Sequence, residues 1–188
     1  REFNKNVSKS FNNNVLSTKN LVQYAFKNEK TKLIFASSAA VYGKVSHYKV
    51  DENRACTPAN FYGLSKLASE NIINYELGKK KNKYAILRYF NVVGKIVDFS
   101  INKKINSLMD VISKKIKSED YKININGNNF NTVDGTPERD FIHVMDLCNI
   151  HEKTYKYLKK NSKIVINCGS GVRYSVLKIV RGFEKKIN

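Results

Sequence analysis

Apolar positions along the chain switch between the spacing of helices and the short runs of strands. Val15-Leu16, Leu21-Val22 and Ala25-Phe26 recur at steps of three and four behind Asn12-Asn13-Asn14. That pattern predicts an amphipathic helix with amides at its amino end. Residues 32–36 form a short apolar run, read as a buried strand, and a loop with Asp51-Glu52 and Thr57-Pro58 follows. A helix around Tyr62 is expected to stop at about Gly78, and residues 84–89 read as the next strand. Beyond Gly94 the pattern loosens. Residues 95–103 show no period, whereas Ile105, Leu108-Met109, Ile112 and Ile116 keep helical spacing and residues 122–126 alternate as a strand would. A loop over 127–137, a strand over 141–144, a helix capped by Asp146, a strand over 163–168, a turn over 169–171 and a last helix capped by Ser175 complete the reading. Strands alternating with helices predict an α/β fold with a largely parallel sheet.

The candidate chemistry lies where these elements end. Tyr62 and Lys66 are four residues apart, so on a helix they share a face. A free phenol titrates near 10, and a cation within roughly 4–6 Å favours its ionised form, which makes the pair a candidate proton shuttle for a hydroxyl. Spacing alone does not single it out, because Tyr75/Lys79 and Tyr155/Lys159 match it too. The neighbourhood does. The first strand runs into Ser37-Ser38-Ala39-Ala40-Val41-Tyr42-Gly43, and small residues at a strand's carboxyl end suit the crevice where open α/β sheets bind ligands. The second strand ends in Leu87-Arg88-Tyr89-Phe90-Asn91, bringing two aromatics and an amide to the same edge.

These motifs, with Tyr62-Gly63-Leu64-Ser65-Lys66, the run from Asp134-Gly135-Thr136 to Arg139-Asp140-Phe141-Ile142-His143-Val144, and Gly171-Val172-Arg173-Tyr174-Ser175-Val176-Leu177, resemble the UDP-glucose 4-epimerase family of extended short-chain dehydrogenases/reductases. The resemblance covers nearly the whole chain in unbroken order. It implies a Rossmann-like, doubly wound parallel sheet with a smaller substrate-binding domain. The implied division is 1–94 for part of the NAD-binding domain, 95–140 for part of the UDP-sugar domain and 141–188 for elements shared between lobes. The implied activity is the interconversion of UDP-glucose and UDP-galactose through a 4-keto sugar, with NAD as a retained cofactor. By the same resemblance Tyr62 is the base, Lys66 its electrostatic partner and Ser38 a third catalytic group. Asn13, Ser38, Tyr62, Lys66, Tyr89 and Phe90 would contact NAD. Ser38, Tyr62, Asn91, Ser107, Leu108, Asn124, Asn126 and Arg139 would contact the UDP-sugar, Arg139 clamping its diphosphate. A homodimer is implied through residues 15–28 and the Tyr62 helix, with Leu21, Ala25, Leu67 and Ile73 as apolar surface.

The chain also departs from the family. Asn91-Val92-Val93-Gly94 lacks the proline of Asn-Pro-Val-Gly, and Asn106-Ser107-Leu108 replaces Asn-Asn-Leu. Asn124 and Asn126 stand where small or aromatic residues usually flank the uracil. No glycine-rich strand-to-helix turn for a pyrophosphate is present, so the 188 residues read as an internal fragment. Related dehydratases and decarboxylases need a carboxylate after the strand-end serine, where this chain has Ala39 and Ala40. A non-catalytic protein of the same fold would be expected to have lost Tyr62 or Lys66.

Composition changes the picture little. A hydrophobic content of 41% suffices for a core, and no apolar run approaches the ~20 residues of a membrane helix. No secretory leader is visible, and the odd set Cys56, Cys148 and Cys168 has no metal spacing, so a cytoplasmic protein with reduced thiols and no metal is expected. The formal charge of +18 invites a nucleic-acid reading. The lysines are spread along the chain and no recognition motif accompanies them, so neither nucleic acid nor membrane is expected as a partner.

Overall fold

The computed structural model describes residues 7–45, 49–79, 82–94, 107–118 and 122–187. In chain order the elements are α1 (Val7–Lys27), β1 (Lys32–Ser38), a 3-10 turn (Ala39–Tyr42), α2 (Phe61–Gly78), β2 (Lys83–Tyr89), β3 (Asn91–Val93), α3 (Leu108–Lys117), β4 (Glu138–His143), α4 (Val144–Lys160), β5 (Lys163–Cys168), β6 (Arg173–Ser175) and α5 (Val176–Ile187). They divide between two compact units, Arg1–Phe90 with Leu147–Cys168, and Asn91–Asp146 with Gly169–Asn188.

The first unit is built on a parallel sheet of order β1-β2-β5. Side chains alternate across a strand, so β2 sends Tyr84, Ile86 and Arg88 to one face and Ala85, Leu87 and Tyr89 to the other. Its five interior residues are all buried, as a central parallel strand requires. On the first face Tyr84 and Ile86 join Val22 and Ala25 of α1 and Ile73 and Leu77 of α2 in one core cluster. On the second face Tyr89 meets His151 of α4. Helices on both sides of a parallel strand set are the expected α/β arrangement.

Small polar residues let α1 and α2 approach closely. Asn14 Nδ2 donates to Ser65 Oγ at 3.0 Å, and Ser65 and Ser69 are fully buried. That use of Asn14 corrects the expected helix start. Phe11, Val15, Thr18, Val22 and Ala25 extend the apolar stripe towards the amino end, and the helix is already formed at Val7. The 12–14 amides therefore lie inside α1 rather than capping it. Ala25 and Ile73, expected as dimer surface, belong to the unit's own core, whereas Leu21 is 57% exposed.

The second unit pairs β3 with β4 in parallel and β4 with β6 antiparallel. Glu138 and Arg173 form an ion pair of 2.7 Å across the antiparallel ladder. Asp134 organises the run before β4: its Oδ1 accepts from Thr136 N (2.9 Å) and Thr136 Oγ1 (2.7 Å), and its Oδ2 accepts from the Ser175 hydroxyl. These hydrogen bonds hold the Asp134 carboxyl below its usual range. Ser175 Oγ also accepts from Lys178 N at 3.1 Å, the expected cap of α5.

Two expectations here need correction. Residues 122–126 alternate in burial, with Ile123 and Ile125 half-buried, but no strand among the described residues pairs with them, so they form no ladder. Asp146 lies in the first turn of α4 and does not cap it, because His143 Nδ1 accepts from Met145 N at 3.2 Å where the helix takes over from β4. Residues 95–103, Ile105, Asn106 and His47 lie outside the described residues.

Gly63 marks a close approach of backbone to backbone in the first unit. A Cβ there would stand 2.4 Å from the Ala40 carbonyl oxygen, so only glycine lets the start of α2 sit against the 3-10 turn. In a free helix alanine would be preferred by about 1 kcal/mol. The contact reverses that sign: Gly63→Ala should destabilise the chain by about 1–3 kcal/mol in denaturant unfolding.

Candidate functional site

The site is assembled by the carboxyl ends of β1 and β2 and the first turns of α2. Ser38 ends β1 and is paired in register with Tyr89 at the end of β2. Its Oγ accepts from Ala40 N at 3.2 Å, which turns the chain into the 3-10 segment. Asn60 starts α2, its Oδ1 accepting from Gly63 N at 2.8 Å, and this fixes Tyr62 in the first turn with 38% exposure. Lys66 follows one turn on. Its Nζ lies 5.9 Å from the Tyr62 ring centroid and 5.0 Å from that of Phe35, and donates to the Ala36 carbonyl at 2.9 Å. Burial lowers the Lys66 ammonium from its usual value. The structure thus brings Ser38, Tyr62, Lys66, Tyr89 and Phe90 to one edge of the first unit.

The other two tyrosine–lysine pairs show what spacing alone produces. Lys79 lies 3.5 Å from the Tyr75 ring centroid and Lys159 5.6 Å from that of Tyr155. Both are stacked cations on exposed aromatics, at the far ends of their helices from any strand's carboxyl edge. The Tyr62 pair instead lies in the first turns of its helix, beside the carboxyl end of β1.

Beneath the edge lies a polar network that the sequence reading missed. The Glu70 carboxylate accepts from the Ser37 hydroxyl and from Arg88, through Nε to Oε1 (3.1 Å) and Oε2 (3.2 Å) and through Nη2 to Oε2 (2.7 Å). Arg88 Nη1 donates to the Tyr42 hydroxyl (2.8 Å) and the Glu52 carbonyl (3.2 Å), and Tyr42 donates to Asn167 Oδ1 on β5 (2.7 Å). Burial works against the guanidinium's charge, but the hydrogen bonds to Glu70 and Tyr42 outweigh it and hold Arg88 above its ordinary range. The available signal was an arginine inside the apolar run of β2 and a glutamate four residues after Lys66.

Tyr89 and His151 are a second unforeseen pair. The phenol and Nε2 share a hydrogen bond, with the rings edge-on at 5.8 Å and 64°. Burial, with smaller effects from Cys168 and Cys148, pushes the Tyr89 phenol up to about 12. Asn13 lies on the exposed face of α1.

The remaining candidates belong to the second unit. Asn91 is tied through Nδ2 to the Asp140 carbonyl (2.9 Å). Ser107 forms the capping box of α3 with Asp110, and half-buried Leu108 opens that helix. Asn124 and Asn126 are exposed. Arg139 is exposed on β4, with Nη1 donating to the adjacent Glu138 carbonyl at 2.8 Å. Asp140 commits its carboxylate to the turn after β5, accepting from Ser170 N (2.7 Å), Ser170 Oγ (2.8 Å) and Gly171 N (2.9 Å). Among the described residues no three His, Cys, Asp or Glu side chains gather as a metal site, and no helix is long and apolar enough to cross a membrane.

Comparison with known proteins places these features in a family. A family model described as the NAD dependent epimerase/dehydratase family matches residues 1–169. A UDP-glucose 4-epimerase of Mycoplasma genitalium is 36% identical over 183 residues, covering 93% of this chain and 54% of that protein. One of Dictyostelium discoideum is 37% identical over 191 residues, covering 98% of this chain and 56% of that protein. The solved UDP-glucose-4-epimerase of Stenotrophomonas maltophila, with bound NAD and formylated UDP-arabinopyranose, superposes with a TM-score of 0.89 at 29% identity, over 98% of this chain and 56% of that one. The chain spans about half the length of the curated relatives it matches.

The raised Tyr89 phenol has a consequence for stability. Because its folded value lies above the usual one near 10, the stabilisation is complete below pH 10 and is lost as pH rises towards about 12. Burial raises Tyr42 and Tyr84 as well, so other tyrosines add to the loss. Thermal unfolding across pH 9–12 should therefore fall less steeply in Tyr89→Phe than in the wild-type chain.

Proposed function

The chain belongs to the NAD dependent epimerase/dehydratase family, and within it we propose a UDP-glucose 4-epimerase, interconverting UDP-glucose and UDP-galactose. The observation that supports this reading is the Tyr62–Lys66 pair at the carboxyl edge of a parallel sheet, beside a strand-end serine. The donors at this edge, one ammonium and two hydroxyls, suit the hydroxyl-rich nicotinamide riboside end of NAD. The sequence holds no glycine-rich turn for the pyrophosphate end. When bound, NAD supplies the acceptor and donor of hydride at the sugar's C4.

The protein's own part is proton transfer and orientation. Tyr62 takes the proton of the 4-hydroxyl as the C4–H bond is lost and returns it once the 4-keto sugar presents its other face. Lys66 sets a positive charge beside that phenol, and Ser38 hydrogen-bonds the same hydroxyl. Asn13, Tyr89 and Phe90 complete the cofactor contacts, the Tyr89 ring alone being offered because its hydroxyl serves His151. Asn91, Ser107, Leu108, Asn124, Asn126 and Arg139 are assigned to the UDP-sugar, the Arg139 fork matching diphosphate oxygens. Residues 1–94 are assigned to NAD, 95–140 to the UDP-sugar and 141–188 to both lobes. We place the protein in the cytoplasm, with Cys56, Cys148 and Cys168 as free thiols.

Tyr62→Phe in the full-length gene product should lower UDP-galactose turnover by about 10²–10⁴-fold with UDP-sugar binding retained. Near wild-type turnover would remove Tyr62 from the mechanism. The 188-residue chain by itself should be inactive and bind NAD no tighter than about millimolar, because the backbone donors of a phosphate turn are lacking. Calorimetric titration reads this directly, and micromolar affinity would contradict it.

A homodimer through α1 and α2 is proposed on the exposed Leu16 and Leu21. Sedimentation of the full-length product at micromolar concentration should give twice the monomer mass, and a strict monomer would dismiss the pairing.

A further inference from the structure

Tyr62, Lys66 and Glu70 follow one another at steps of four, so α2 presents a phenol, an ammonium and a carboxylate on one face. At that spacing lysine and glutamate ordinarily pair. Here they do not. Glu70 is only 1% exposed, and its two oxygens are taken by the Ser37 hydroxyl and by three contacts from Arg88. The Lys66 ammonium instead donates to a neutral acceptor, the Ala36 carbonyl, at the edge that carries Ser38.

We propose that Arg88 is a positioning residue for Lys66: by occupying the Glu70 carboxylate it keeps the neighbouring ammonium un-neutralised and available to ligand hydroxyls at the strand edge. The inference rests on the reading of Tyr62 and Lys66 given above. It assigns a purpose to an ion pair that stability alone does not demand, since buried pairs are often replaceable by apolar residues.

The surroundings of Lys66 support it. Burial is what moves the ammonium from its usual value, with no charged group adding to it. On α2 the ionisable groups of the same face are Tyr62 and Glu70. From β1 the neighbours are the Phe35 ring and the Ala36 carbonyl, and α1 meets this helix through Asn14. From β2 comes Arg88, itself flanked by Tyr42, Cys56 and the backbone of Glu52. Removing the guanidinium would leave Lys66 as the cation nearest along α2 to a carboxylate that must find a partner.

The test is the pH dependence of Lys66 acylation in the 188-residue chain, with an N-hydroxysuccinimide ester as probe and peptide mass spectrometry as readout. Only the neutral amine reacts, so a carboxylate beside Lys66 slows the reaction. In Arg88→Met the midpoint should rise by about one pH unit, some tenfold slower acylation near neutrality. In Arg88→Met/Glu70→Gln it should return to the wild-type value. If Arg88→Met does not fold, Arg88→Lys replaces it and should shift the midpoint in the same direction by less. An unmoved midpoint in the folded variant overturns the proposal. So does a shift that persists in the double variant, because that reports general exposure of Lys66. A full-length Tyr62→Phe enzyme that keeps its turnover would refute the epimerase reading without touching this result, so the two fail separately.

Discussion

One buried carboxylate sets the terms for the first unit. Glu70 is removed from water on α2, and an unpaired charge there would be severely unfavourable, so the fold must bring it donors. They come from the elements that carry the candidate chemistry: Ser37 from the end of β1 and Arg88 from the end of β2. Each donor is one residue from a group at the edge, Ser37 beside Ser38 and Arg88 beside Tyr89. Satisfying the charge therefore ties the ends of β1 and β2 to α2. Tyr42 and Asn167 pass the constraint on to β5, and the three strands of the sheet share it. Cutting such a pair by removing one partner costs on the order of 3–5 kcal/mol, far more than its gain over an apolar replacement.

The second unit spends its polar side chains on architecture. Ser107 closes a capping box, Asp140 gathers the amides of the turn after β5, and Asp134 joins the approach to β4 with the cap of α5. The Asp134-Gly135-Thr136 run, a distinctive mark in the sequence, thus has a local reason to be there. Asp140 has its own task in the turn, which leaves the adjacent exposed guanidinium of Arg139 at the surface of β4.

Much of this was legible in the sequence, and the failures have physical causes. β2, β5, α2 and the cap of α5 were read closely because their apolar runs are long and their stop signals local. The three-residue strands β3 and β6 are too short to show a period. The start of α1 was misplaced because Asn14 resembles a cap by composition, whereas tertiary packing gives its amide to Ser65. Residues 122–126 keep the alternation of a strand, yet a ladder needs a partner that no local pattern announces. At the candidate site, Tyr62, Lys66 and Ser38 were singled out by their motifs. The Glu70–Arg88 pair and the Tyr89–His151 contact were not, because they join residues far apart in sequence.

The order of the first sheet also governs how the chain can acquire it. β2 is central, and its partners lie roughly fifty residues earlier and eighty residues later in sequence. No hairpin can nucleate this sheet, and every ladder closes a long loop whose entropy is lost before contacts compensate for it. On the ribosome β2 emerges well before β5, with one apolar flank waiting unpaired through the synthesis of the intervening residues. The β2–β5 ladder thus cannot close until translation has passed Cys168, however early the helices of the unit form.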